Sequence, residues 1–67
     1  MSATGDFRGL IQFAICEEQK AQQMYKDLAA KTGDAFTKAI LEGLHEQEVH
    51  HEEKLRSILG SIEPTKA

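Results

Sequence analysis

The chain has 67 residues, a formal net charge of −3 and a single cysteine, Cys16, which excludes an internal disulfide and, with no C-x-x-C pair, a zinc ribbon or rubredoxin-type iron centre. Acidic and basic residues are interspersed, so no basic patch invites nucleic acid, and no apolar run approaches the roughly 20 residues of a membrane span. Without a secretory signal the chain reads as a soluble, cytoplasmic single domain. A domain this short hides only about 60% of its unfolded surface, so homo-oligomerisation is expected.

Residues 1–5 read as a polar lead-in. Apolar residues then recur with helical period from about residue 6 to about 32. Thr32-Gly33 ends that segment, with Gly33 as its C-terminal cap. Asp34 is a good N-cap for a second helix over about 34–60, beyond which Pro64 opposes continuation. A turn of two or three residues between two long helices forces an antiparallel hairpin with arms of about 38 Å. Two such helices do not cover both of their apolar seams. The expected fold is therefore all-α: a two-helix antiparallel hairpin that dimerises into a four-helix bundle.

The seams carry the chemistry. In helix one Phe7, Ile11, Ala14, Glu18, Ala21, Tyr25 and Leu28 alternate at spacings of three and four, and in helix two so do Leu41, Leu44, Glu48, His51, Leu55, Ile58 and Ile62. Both are heptad stripes of the kind that faces a core, yet Glu18, Glu48 and His51 stand where leucines belong. Carboxylates are almost never fully buried without compensation, and a metal is the simplest candidate. Glu18 precedes the turn by about as many residues as Glu48 follows it, so the two meet across the hairpin. A two-fold dimer then brings four carboxylates and two imidazoles to one level of the bundle. That is the ligand set of a di-iron carboxylate site, a glutamate from each of two helices and a Glu-x-x-His pair from each of the other two. Such donors suit two iron ions per dimer, with manganese or zinc as substitutes.

Simpler roles stand beside these. Glu48 and His51 could be a hydrogen-bonded pair that sets helix register, and the whole chain a non-catalytic, metal-stabilised dimerisation module. Glu17 falls off the seam and reads as a solvated charge. His45, Glu46 and Glu52 share one flank of helix two, either holding a metal in transit or forming a solvated face of charge pairs. His50 points away from the seam, while Cys16 and Met24 read as apolar filler.

These residues carry a resemblance to the ferritin-like superfamily, in its half-length members. Glu18-x-x-Ala21-x-x-x-Tyr25-x-x-Leu28-Ala29 resembles the first-helix signature of rubrerythrin-type proteins, and Lys38-Ala39-Ile40-Leu41-Glu42 running on to Glu48-x-x-His51 resembles the second helix of encapsulated ferritins. The similarity spans roughly residues 11–58. It implies Glu18, Glu48 and His51 as iron ligands shared between two chains and Tyr25 as a neighbour of the catalytic site. It also implies a ferroxidase that turns Fe(II) into Fe(III) with dioxygen or peroxide. The partner it implies is an encapsulating nanocompartment shell or an electron donor, the latter separate because the rubredoxin-like module of rubrerythrins is absent from this sequence.

Overall fold

The computed structural model describes residues 3–62, which form two helices, α1 (Ala3–Lys31) and α2 (Ala35–Ile62), packed side by side with no strand among the described residues. α1 starts earlier than the sequence pattern predicts, so residues 3–5 are helical, and Asp6 supplies the negative charge that favours a first turn. α2 runs through Gly60 to Ile62, because one glycine in a helix costs only about 1 kcal/mol and Ile62 is still half-buried. Residues 1–2 and Pro64 lie outside the described residues.

The turn is built by polar side chains. No described glycine has a positive φ, so Gly33 is not the left-handed cap that the sequence suggests. Instead the Thr32 amide closes the last turn of α1 on the Leu28 carbonyl at 3.1 Å, and the Thr32 hydroxyl accepts from the Asp34 amide at 3.2 Å. Asp34 caps α2 as expected: its carboxylate accepts from the Thr37 amide at 2.7 Å and from the Thr37 hydroxyl at 2.6 Å, and its carbonyl accepts the first helical bond from Lys38. Those two Thr37 donors, the hydroxyl foremost, hold the Asp34 carboxyl below its ordinary value.

The inward line differs in part from the heptad stripes. On α1 the buried apolar residues are Ile11, Ile15 and Ala29, with Glu18, Gln22 and Tyr25 half-buried among them. Phe7 and Leu28, expected inside, are 47% and 45% exposed. On α2 Leu41, Leu44, Glu48, Leu55 and Ile62 are half-buried as expected, whereas His51 and Ile58, expected inside as well, are exposed. The cause is geometric: a strict seven-residue repeat drifts by about 20° per heptad on a straight helix, so the far members of each stripe rotate away from the partner.

The molecule measures 51 × 22 × 13 Å, and its thinnest dimension is that of a single helix with its side chains. Its two broad faces differ in character. Leu10, Met24 and Leu28 of α1 and Phe36, Ile40 and Ile58 of α2 are all exposed. At about 100° per residue each set is displaced from its inward line in the same rotational sense. For right-handed helices running antiparallel, the same sense means the same side of the hairpin. One face therefore carries these apolar side chains with exposed Glu17, Gln47 and Lys54 set among them, while the other carries Gln19, Lys26, Lys38, Glu42, Glu52 and Arg56. No described helix is long and apolar enough to cross a membrane.

Candidate metal centre

Glu18 sits mid-way along α1 on its inward line, one turn beyond Ala14 and Ile15. Glu48 and His51, three residues apart, share one side of a single turn of α2. Antiparallel packing brings the three together. His51 Nδ1 lies 2.7 Å from Glu48 Oε1 and 3.3 Å from Glu18 Oε1. Among the described residues these three form one group in which a ligand atom from each lies within 4.8 Å of the others. The Glu18 and Glu48 side chains keep 24% and 20% of their exposure, and the His51 side chain keeps 52%. The group is thus screened from one side by the helices, and its open His51 edge borders a groove lined by Gln47, His50, Glu53, Lys54 and Ser57.

The charge balance of this group suits a cation. Among the described residues no lysine or arginine pairs with Glu18 or Glu48, so two half-buried carboxylates converge on one imidazole. Two carboxylate oxygens and an imidazole nitrogen are donors that iron, manganese and zinc all accept, so the residues present fit a divalent transition metal.

Tyr25, the fourth residue singled out by the sequence, does not join this group. It lies two turns from Glu18, roughly 10 Å along α1, and lines a shallow groove with Lys38, Glu42 and His45. Its hydroxyl has no hydrogen-bond partner among the described residues.

The neighbouring residues divide clearly. Glu17 is a surface charge paired with Lys20 at 3.1 Å, and exposed His50 lies between Glu46 and Glu53 at 3.9 and 3.2 Å. Cys16 and Met24 are exposed, which corrects their reading as filler: both point away from the one neighbouring helix.

Glu52 is not a free surface charge. Its Oε1 accepts from Gln22 at 2.7 Å, and its Oε2 accepts from Gln19 at 3.1 Å and Arg56 at 2.7 Å. The Gln22 amide, then the Arg56 guanidinium, hold its carboxyl below the ordinary glutamate value. The Arg56 pairing is legible in sequence as an i, i+4 pair. The two glutamines are not, because an uncharged side chain facing a helix partner leaves no pattern.

A family model described as Rubrerythrin matches residues 3–59 of the chain. No curated protein and no solved structure matches it.

Proposed function

The chain belongs to the rubrerythrin family, and from that premise we propose that it is a ferritin-like di-iron protein which oxidises Fe(II) to Fe(III) at a site shared between two copies. The observation that carries this reading is the convergence of Glu18, Glu48 and His51 from two helices onto one point. Three donors are too few for two ions. Two copies related by a two-fold axis would offer six, and their four carboxylates would neutralise two divalent cations. Leu28, Ile40 and Ile58 expose apolar surface that a second copy would cover, which supports such a copy as the missing half.

Bound as a pair, two ferrous ions supply the two electrons that take dioxygen to peroxide or peroxide to water. The protein's own part is electrostatic and geometric. Glu18 and Glu48 provide negative charge where helix packing limits water, and His51 supplies a neutral nitrogen donor held beside both. Tyr25 is assigned to the surroundings of this site in the assembled dimer. Manganese or zinc would occupy the same donors. The reading implies a cytoplasmic setting and a partner, either a shell that receives ferric product or a donor that returns electrons.

The test is metal analysis of anaerobically purified protein followed by stopped-flow absorbance on mixing its Fe(II) form with oxygen. A fast ferric band at about one iron pair per dimer is expected. Bound metal without oxidation would instead favour the metal-stabilised dimerisation module.

A further inference from the structure

Gln22 on the inward line and Gln19, Glu52 and Arg56 on the polar face beside it have no place in ligand chemistry, yet they are bonded together at one stretch of α2. The Gln22 amide donates to the backbone carbonyl of Glu48 at 3.4 Å and to the Glu52 carboxylate at 2.7 Å. Glu52 also receives Gln19 from α1 and Arg56 from α2. We propose that Gln22 and Glu52, braced by Gln19 and Arg56, form a clasp that fixes the longitudinal slide of α1 against α2 and so sets the distance from Glu18 to the Glu48–His51 pair. The inference rests on the reading of Glu18, Glu48 and His51 as metal ligands and assigns Gln22 and Glu52 as positioning residues for them.

Three observations lead there. Because the helices run antiparallel, Gln22, one turn after Glu18, comes level with Glu48, and Glu52, one turn after Glu48, comes back level with Glu18, so ligands and clasp span the same stretch of the contact. Gln22 reaches the main chain of Glu48, not its carboxylate, so it reports the position of the α2 backbone and leaves the ligand oxygens free. The apolar packing at this level also fixes slide only weakly. Beside Glu18 on the inward line stand Ala14, Ile15 and Ala21, and two alanines give a partner helix little to interlock with.

The magnitudes make the slide matter. A displacement of one residue is about 1.5 Å, enough to break a hydrogen bond of 2.7 Å, whereas metal–ligand distances are held to about 0.2 Å. A clasp that resists sub-ångström sliding therefore bears on affinity more than on folding. Glu52 is suited to this by being fully engaged: with three donors on its carboxylate it is withheld from the metal and keeps one orientation.

The test uses the full chain and Mn(II) alone, with affinity read by electron paramagnetic resonance of the free ion. Gln22→Met keeps length and helix propensity while deleting both donors, and Glu52→Ala removes the far end without touching Glu48. At a temperature where circular dichroism shows each protein fully helical, each variant should bind Mn(II) about tenfold or more weakly, the usual effect of losing a group that orients a ligand. The double variant should lose no more than the larger single loss, because both act through one contact. Should Gln22→Met fail to fold, Glu52→Ala and Gln19→Met carry the same comparison. Wild-type Mn(II) affinity in the folded variants, with only the chelator-treated melting temperature lowered, would make the clasp merely structural and overturn the inference. Losses that add in the double variant would overturn it too. A wild-type protein that binds no Mn(II) would instead remove the ligand reading beneath it.

Discussion

Glu18 and His51 stand 33 residues apart in sequence and meet across the hairpin at 3.3 Å, the carboxylate of one helix facing Nδ1 of the other. The contact belongs to a group of two carboxylates around a single imidazole, and its behaviour under substitution is distinctive.

Glu18→Gln keeps shape and hydrogen-bonding capacity but removes one of two converging charges. Without metal the variant should melt a few degrees higher than wild type, since a relief of about 0.5–1 kcal/mol shifts a domain of this size by several degrees. With Mn(II) or Fe(II) the order should reverse, because a ligand at a hundredfold excess over its Kd stabilises the folded state by about 2.7 kcal/mol and the variant forfeits part of this. Paired melts in chelator and in metal measure both halves. A variant that melts lower in chelator and gains as much from metal would make Glu18 a plain structural acceptor.

Membership of the converging Glu18–Glu48–His51 group should separate residues that neighbour one another in sequence. Glu48→Ala and His51→Ala should each cut the stopped-flow rate of ferrous oxidation by a hundredfold or more, on the order of 3 kcal/mol of lost stabilisation. Glu17→Ala and His50→Ala, whose side chains lie in solvent, should stay within about twofold. Equal losses in both pairs would contradict the orientation of the helices.

The apolar face predicts an oligomer that one charge can disrupt. Leu28→Glu or Ile58→Glu alters a side chain already exposed in the single hairpin, so helix formation should survive. Burying a leucine or isoleucine contributes about 1.5–3 kcal/mol, and a charge in its place should raise the dissociation constant of the dimer by at least tenfold. Sedimentation velocity across a concentration series reads this directly. Metal retention after desalting should fall in parallel if the site is shared.

The turn has an acid signature. Thr37 holds the Asp34 carboxyl below its ordinary value, so ionised Asp34 favours the folded state. A group depressed on folding contributes its stability in full above its unfolded value, about 3.9, and loses it as pH falls through the folded one. Melting temperatures followed downward from pH 6 should therefore show a decline below about pH 4 that is shallower in Asp34→Ala. The variant should also melt lower throughout the neutral range, where the cap bonds to Thr37 are missing. Identical acid slopes in the two proteins would remove Asp34 as the origin.

Much of this was legible in the residues alone. Helical periodicity, Asp34 and the shortness of the turn are local signals and give the hairpin directly. Glu18, Glu48 and His51 stood out because polar residues interrupted an otherwise apolar pattern. The residues that escaped did so for physical reasons. Ile15 and Ala29 took inward places because an uncoiled helix does not follow a seven-residue repeat, which also turned Leu28 outward. Gly33 resembled a cap by composition, yet Thr32 and Asp34 satisfied the same backbone groups. Gln19 and Gln22 were silent, since their role depends on Glu52 standing opposite, a fact of the tertiary packing.

The 13 Å thickness of the hairpin has a consequence for how its backbone exchanges with solvent. With no second layer above either helix, a local opening of α1 or α2 meets little resistance from side chains beyond its one neighbour, and amide protons should exchange readily in dilute protein. Cover from another copy would slow that exchange most along the turns bearing Glu18, Glu48 and His51, where helix contact and ligand contact coincide. Deuterium uptake that falls with rising protein concentration, and falls again on adding metal, would trace such cover residue by residue.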